Sequence, residues 1–196
     1  MHTKGTAILL GLFLAGQPST LIADDIIPAS PIDQITQTCP TPQALAAFLH
    51  RTFQFESDQE QFGEVDRWQS PSEFVQRKRG DCEDYAVLAQ AVLARRGVEA
   101  YVFSVIGTGG YAHTVCVFVD ERGRYNVLNQ DRLSYPRARS LEAVASYLYP
   151  AWTVAGIATP VGVRGRFVKK FVNARGAPAA EPLPAPSAAR QAGVAP

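Results

Sequence analysis

The chain has 196 residues, of which 46% are hydrophobic and 19% are charged, and its formal net charge is +1. These values are typical of a globular protein, with room for one domain that buries a core of its own. The near-zero net charge argues against a nucleic-acid partner.

Residues 1–23 have the pattern of a secretory signal peptide. Lys4 gives a positive start, an apolar run extends from Ala7 to Ala15, and a small residue, Ala23, precedes two aspartates. The run is shorter than the roughly 20 residues that span a bilayer. An uncleaved anchor is the alternative. We predict cleavage, no remaining membrane span, and a periplasmic or secreted protein whose domain covers residues 24–173.

The first elements of the mature chain carry little chemistry. Residues 24–38 are predicted to be extended, and Thr41 and Pro42 suit the N-cap and first position of a helix. His50 falls beside the apolar stripe of that helix, which indicates a surface histidine. Residues 54–69 are polar with scattered aromatics and predict a loop that could line a cleft.

Two predicted helices meet near a glycine. Ser70-Pro71-Ser72-Glu73 matches the S-x-x-E capping box, so a short helix is predicted to run to about Lys78 and to end at Gly80. Asp81 is placed to cap the next helix, over residues 82–96, and Gly97 is placed to terminate it.

The second half of the domain changes to strand patterns. Strands are predicted over residues 100–106, 113–120 and 125–129, and the last two form a hairpin. A helix follows from Leu141 to about Tyr149, with weaker strand candidates at 153–158 and 166–172. The predicted fold is therefore α+β, with a helix packed on an antiparallel sheet.

The C-terminal residues 174–196 are rich in alanine and proline and are predicted to be a disordered tail. From Arg164 onward the chain has six basic residues and one acidic residue, so the tail is basic. It could contact the acidic body, a membrane surface or an acidic partner, and its role stays open.

Three cysteines are present: Cys39, Cys82 and Cys116. An oxidising compartment permits a disulfide, and an odd count leaves at least one thiol outside any intramolecular pair. If Cys82 is a reduced nucleophile, Cys39 and Cys116 are the remaining pair. Whether they form a bond is not decided by the sequence.

Cys82, His113 and Asn129 occur in the order of a nucleophile, a base and an orienting group. Cys82 opens a helix, where free N–H groups and the helix dipole stabilise a thiolate. His113 begins a strand and can take the thiol proton. Asn129 ends the next strand, and Asp131 shares its strand face if that strand continues. Cys116 has the opposite parity to His113, so it is predicted to be packed or disulfide-bonded.

Two segments resemble the bacterial transglutaminase-like cysteine proteinases, of the wider transglutaminase-like superfamily. They are Trp68 to Phe74 (WQSPSEF) and Gly80 to Ala86 (GDCEDYA). Ala112-His113 and Gly123 to Asn129 match the later family motifs. The resemblance covers roughly residues 40–135 and implies a papain-like α+β core.

The resemblance implies site roles for several residues. Cys82 would be the nucleophile, His113 the base, and Asn129 the third residue, where the family usually has aspartate. Asp131 is the other candidate for that role. Trp68 and Gln76 are candidates for the substrate or oxyanion site, beside the backbone N–H of Cys82. No cofactor is expected unless calcium is used, in which case Asp81 and Glu83 match the acidic places beside the cysteine.

The predicted function is an exported cysteine protease or amidase that acts on a protein or peptide in the cell envelope through a thioester. Transfer of the acyl group to an amine, as in a transglutaminase, is the related reaction. The alternative, motivated by Asn129, is a catalytically degenerate domain that acts as a binding module.

Overall fold

The computed structural model describes residues 30–173. The predicted signal peptide (1–23) and the predicted disordered tail (174–196) lie outside this range. Within the described range, no helix is both long and apolar enough to cross a membrane.

Five of the six helices precede the long strands, and the sixth lies between two of them. The helices are α1 (Pro31–Thr38), α2 (Pro42–Thr52), α3 (Asp58–Phe62), α4 (Pro71–Arg77), α5 (Cys82–Arg95) and α6 (Leu141–Leu148). The strands are β1 (Gln54–Phe55), β2 (Arg79–Gly80), β3 (Ala100–Gly107), β4 (Ala112–Val119), β5 (Tyr125–Asn129), β6 (Arg132–Ala138), β7 (Trp152–Val161) and β8 (Arg164–Val172). A short 3₁₀ turn, Thr108–Gly110, connects β3 and β4.

Six strands form an antiparallel sheet in the order β6-β5-β4-β3-β7-β8. Its central strands are rich in β-branched and aromatic residues, which suit a pleated, buried surface. Because side chains alternate along a strand, β4 contributes to both faces of the sheet. Cys116 and Phe118 join one hydrophobic core, and Val115 and Val117 join the other.

The larger core lies between the sheet and helices α1, α2, α4 and α5. Helix α5 is its centre: Leu88 and Val92 are fully buried on it, and its first turns lie against β4. Helix α6 covers the opposite face through Leu141 and Val144. Helices therefore cover both faces of the sheet, and α5 packs beside β4. The predicted α+β fold, with the cysteine-bearing helix packed on an antiparallel sheet, is confirmed.

Four details differ from the predicted elements. Residues 31–38 form a helix rather than extended chain, because Ser30 and Asp33 make a reciprocal capping box. The segment 54–69 contains β1 and α3. Helix α4 ends at Lys78, which takes the left-handed conformation (φ 58°), and Gly80 lies in β2. Strand β6 is an element that the residue pattern did not predict.

Candidate active site

Gly80 allows α5 to begin where it does. A Cβ at this position would overlap Asp84 Oδ2 and would lie 2.8 Å from the ring of Phe74. The chain can therefore turn from β2 into α5 only with a glycine here, because any side chain would displace the first turn of the helix. This contact explains why glycine comes two residues before the helix-opening cysteine.

Asp84 fastens the first turn of α5 to the preceding loop. Its carboxylate accepts hydrogen bonds from Gln69 N (2.8 Å), Gln69 Nε2 (2.6 Å) and Asp81 N (3.3 Å). Burial raises its pKa to about 7 despite the hydrogen bonds from Gln69. Sequence reasoning assigned neither Asp84 nor Gln69 to the site, although both lie inside the two segments that carried the family resemblance.

Cys82 is the first residue of α5 and is half-buried. Its Sγ donates to Glu83 Oε2 at 3.1 Å. The backbone N–H of Thr114 also bonds the sulfur, so the thiol lies beside the start of β4. Burial raises the pKa of the thiol well above its usual range, and the Glu83 and Asp81 carboxyl groups raise it further. The thiol in this arrangement is therefore protonated at neutral pH.

His113 lies immediately before Thr114, and its Nε2 lies 2.9 Å from Asn129 Oδ1. An amide oxygen can only accept, so Nε2 carries the proton and Nδ1 is left as the basic nitrogen. Burial lowers the pKa of His113, which the bond to Asn129 opposes only in part. The imidazole is thus neutral and able to accept a proton near neutral pH.

Asp131 does not reach His113. Gln130 takes the left-handed conformation (φ 52°), and the chain reverses there, so that Asn129 pairs with Arg132 in β6. The strand that would have placed Asp131 on the face of His113 therefore ends before it. Asp131 Oδ2 instead lies 2.6 Å from Nδ1 of His50, which is exposed, as predicted.

A cavity of about 160 Å³ adjoins His113 and Thr114. Trp68 forms one wall, and its indole packs so closely against Gly165 in β8 that a Cβ there would overlap the ring. Gln76 does not line this cavity: it is exposed on α4, whereas Phe74, two residues earlier, is buried. The structure thus brings Trp68, but not Gln76, to the vicinity of His113.

Tyr111 lies beside the candidate base, with its ring centroid 6.3 Å from that of His113. It stacks on Tyr149 at 4.0 Å, and a Cβ on Gly107 would overlap Tyr149. Burial raises the pKa of Tyr111, and proximity to Cys82 adds to this effect. Sequence reasoning missed Tyr111, because a tyrosine in a glycine-rich loop carries no signal of where its ring lies.

Several acidic side chains lie close together beside Cys82. Carboxylate oxygens of Asp58, Asp66 and Glu83 lie within 4.8 Å of one another, and so do those of Asp58, Asp81 and Asp84. Burial raises the pKa of Asp58, of Asp81 and of Glu83, the last to about 9. Asp58 Oδ1 and Asp81 Oδ1 are buried without a hydrogen-bond partner. Unpaired, mutually close carboxylate oxygens are the donors that a hard divalent cation requires.

The other two cysteines are buried thiols. Cys39 and Cys116 both belong to the core under α5, and burial raises the pKa of each. Cys116 is fully buried, which fits the predicted packed cysteine and leaves Cys82 as the one cysteine of the three that is partly accessible.

Solved structures similar to this chain include proteins from Legionella pneumophila and Cytophaga hutchinsonii. Legionella pneumophila LapG is 24% identical, with a TM-score of 0.40 over 53% of this chain and 61% of that chain. Calcium-bound LapG from the same organism is 20% identical, with a TM-score of 0.44 over 70% of this chain and 77% of that chain. A candidate cysteine protease from Cytophaga hutchinsonii is 15% identical, with a TM-score of 0.40 over 80% and 57%. In the first of these matches, the aligned part is less than two thirds of the LapG chain.

A comparison with curated proteins found no match. The family described as Transglutaminase-like domain (DUF553) matches residues 34–146, which is more than half of the chain and runs from α1 to α6. The match includes the start of α5, His113 and Asn129. The chain therefore belongs to the transglutaminase-like domain family.

Proposed function

We propose that this protein is a cysteine hydrolase that cleaves an amide bond in a protein or peptide through a thioester on Cys82. The observation that carries the proposal is the arrangement of three groups at one end of β4. The thiol of Cys82 lies at a helix N-terminus beside Thr114. His113 directly precedes Thr114 in the chain, its Nε2 donates to Asn129, and its Nδ1 is left as a basic nitrogen.

The first half of the reaction forms the thioester. Nδ1 of His113 takes the proton of the Cys82 thiol, and the sulfur attacks the carbonyl carbon of the amide. Negative charge develops on the carbonyl oxygen, and the N–H groups of the first turn of α5, which have no carbonyl partner within the helix, are placed to stabilise it. The C–N bond then breaks, and the His113 imidazolium protonates the leaving amine.

The second half releases the acyl group. His113 removes a proton from water, the hydroxide attacks the thioester carbonyl, and the Cys82 sulfur leaves and regains its proton. An amine in place of water would give acyl transfer, the transglutaminase reaction. Asn129 fixes the tautomer and orientation of the imidazole in both halves without adding a negative charge.

Calcium fits the acidic cluster beside Cys82. Asp58, Asp66, Asp81 and Glu83 would hold the ion, since these four supply close oxygens, two of them with an unpaired atom. A bound divalent cation neutralises the carboxylates that otherwise raise the thiol pKa. Glu83, which accepts the thiol hydrogen bond, would then be ionised, and the positive charge of the cation would offset its effect on the thiol pKa.

A binding module is the second candidate function, and the raised pKa of Cys82 is what favours it. A thiol held protonated by burial and by two carboxyl groups is a poor nucleophile. Such a protein would use the cleft between Trp68 and His113 to hold a peptide without cleaving it.

The predicted signal peptide would place the domain in the periplasm or outside the cell, with substrates in the cell envelope. The domain of residues 24–173, with a disordered tail after it, is part of the same proposal. Export would also expose the protein to the calcium concentrations at which extracellular oxygen-ligand sites bind.

Two measurements separate the candidate functions. The first is the rate of alkylation of Cys82 by iodoacetamide against pH, read by mass spectrometry, with His113→Ala alongside and with calcium or EGTA. The second is terminal-amine proteomics on envelope proteins incubated with the wild type or with Cys82→Ala. The hydrolase predicts labelling below pH 8 that needs His113, and new N-termini made only by the wild type. Labelling that appears only at or above the free-thiol pKa of about 8.5, together with identical N-termini, would support the binding module.

A further inference from the structure

Four arginines surround a solvent-filled concavity of about 530 Å³ at the end of the sheet away from the candidate active site. Arg122 and Arg124 come from the β4–β5 turn, and Arg137 and Arg139 come from the end of β6 and the segment after it. Asp120 is the fifth lining residue. The local charge is therefore strongly positive, although residues 24–163 as a whole carry more acidic than basic residues.

None of these four arginines forms an ion pair with a carboxylate of the described residues. Elsewhere in the same range, five arginines are paired in this way: Arg67, Arg77, Arg79, Arg95 and Arg164. Asp120 offsets only one of the four positive charges. Its oxygens accept from the backbone of Arg122 and Arg124 and from Asn126 Nδ2, and the positive charge of Arg122 contributes to lowering its pKa. The guanidinium groups are thus left to bind an external anion.

The backbone here is shaped so that the arginines converge. Arg137 takes the left-handed conformation (φ 52°), which non-glycine residues seldom adopt. The β5–β6 pairing is irregular at the same place, between Tyr125 and Val127. Bulges of this kind redirect a side chain, and here Arg137 is directed into the concavity.

An apolar groove of about 380 Å³ shares the walls Asp120 and Arg122 with the concavity. Phe118 and Tyr135 meet edge-to-face in it, with centroids 6.3 Å apart. The rest of the apolar lining comes from Pro42, Val98 and Val119, and Glu121 lies at the same groove. Tyr135 is 45% exposed, although its hydroxyl already accepts from Gln43 Nε2 at 2.6 Å. The ring of Tyr135 is thus accessible beside the arginines, whereas Phe118 is buried.

We propose that the concavity and its groove form a docking site for an acidic segment of a protein partner, with its carboxylates on the arginines and a neighbouring apolar side chain against the exposed ring of Tyr135. Guanidinium groups bind carboxylates through paired hydrogen bonds. A free phosphate or a lipid headgroup would use the arginines alone. A polypeptide can place a carboxylate and an apolar side chain on adjacent residues. It could therefore occupy the concavity and the groove together, which share the walls Asp120 and Arg122.

The docking site and the candidate active site lie at opposite ends of β4. His113 is the second residue of that strand and Asp120 directly follows it, so the two ends are separated by roughly 20 Å. A partner bound at the arginines would leave the cavity beside Trp68 open. The proposal therefore does not depend on whether Cys82 is catalytic.

The test is selection of a random peptide library displayed on phage against the folded protein and against Arg122→Gln/Arg137→Gln/Arg139→Gln. Sequences enriched on the wild type should combine two or more carboxylates with an aromatic or aliphatic residue. A synthetic peptide of the best sequence should bind the triple variant about tenfold more weakly, with an affinity that falls as salt rises. Circular dichroism establishes that the variant is folded.

A matched control removes three surface arginines elsewhere, Arg51→Gln/Arg96→Gln/Arg132→Gln, and should keep the peptide affinity of the wild type. Equal loss in both triple variants would reduce the effect to net charge and overturn the proposal. So would enrichment without acidic sequences. Binding of phosphatidylglycerol vesicles or inorganic phosphate at the arginines, without peptide binding, would overturn it in favour of those ligands.

Discussion

Asn129 Oδ1 accepts a hydrogen bond from His113 Nε2 at 2.9 Å, and this contact defines which nitrogen of the imidazole can act as a base. Extending the β4–β5 register places Asn129 opposite Val115, diagonal to His113 on the same face of the sheet. The contact therefore follows from strand pairing, and its loss would leave the imidazole free to rotate.

Asn129→Ala should slow alkylation of Cys82 at neutral pH by about 10- to 100-fold, because the imidazole loses the bond that fixes its tautomer. Asn129→Asp should keep the orientation and add a charge that stabilises the imidazolium. Mass spectrometry of the Cys82 peptide measures the rate, and buried Cys39 and Cys116 serve as internal references.

Asp131→Asn is the matched control, since Asp131 bonds His50 rather than His113. It should leave the alkylation rate unchanged. If Asp131→Asn slowed labelling as much as Asn129→Ala, the proposed orienting role of Asn129 would be wrong.

Local rules of sequence reading predicted most elements because each is signalled by adjacent residues. The cap at Ser70, the change to period two after Gly97 and the β4–β5 hairpin are all of this kind. Helices α1 and α3 were missed although Ser30 and Ser57 carry the same S-x-x-acid pattern as Ser70. The signal was present in both segments, and in residues 54–69 the polar composition outweighed it.

The third position of the site required geometry that no local pattern contains. Strand parity allowed both Asn129 and Asp131, and the left-handed backbone of Gln130 separates them. A glutamine gives no warning of such a turn, because glycine and asparagine are the residues that usually adopt it. The acidic cluster likewise joins Asp58 and Asp66 to Glu83 only after α3 has folded against α5.

Burial of His113 predicts a specific dependence of stability on pH. Its pKa is lowered in the folded protein, whereas in the unfolded chain it is about 6.5. Between these two values the unfolded state binds more protons, so the free energy of unfolding rises with pH in that window. This stability is complete above about pH 6.5 and is lost as pH falls towards the folded pKa.

Denaturant unfolding of the wild type and of His113→Gln over pH 5 to 7.5 measures this effect. The difference in unfolding free energy between the two proteins should change with pH only in that window, in the direction of a wild type that gains stability as pH rises. A difference that is constant with pH would show that His113 titrates equally in both states.

Glu83 should make stability depend on calcium. Its pKa is raised to about 9, chiefly by burial, so folding favours the protonated form and stability declines as pH rises from about 4.3 towards 9. Calcium binds the ionised form and should reverse that trend. We expect calcium to raise the Tm of the wild type over that in EGTA, and more at pH 8 than at pH 5.

Glu83→Gln should lose most of the calcium-dependent rise in Tm. It should also be more stable than the wild type in EGTA at pH 8, because glutamine is neutral in both states and folding no longer requires the uptake of a proton. Glu142→Gln, an exposed acid at the start of α6, is the control and should respond to calcium as the wild type does. An equal rise in Tm for both variants would rule out the acidic cluster as the calcium site.

Gly165 should control the position of Trp68 and hence the shape of the cavity beside His113. A Cβ at residue 165 would overlap two atoms of the indole and would lie 2.8 Å from a third, so Gly165→Ala must displace the ring. The backbone N–H of Trp68 stays bonded to Val163 O (3.1 Å) in the β7–β8 turn, so the ring moves while the backbone of the loop keeps its place. We expect a loss of about 1–3 kcal/mol of stability and a shift in tryptophan emission. Alkylation of Cys82 should change little, since the thiol lies outside this contact.

Gly162→Ala is the control, because Gly162 lies in the β7–β8 turn and a Cβ there would meet open space. It should leave the emission unchanged despite its left-handed strain (φ +61°). The same emission shift in both variants would mean that the turn, and not the contact with Gly165, positions Trp68.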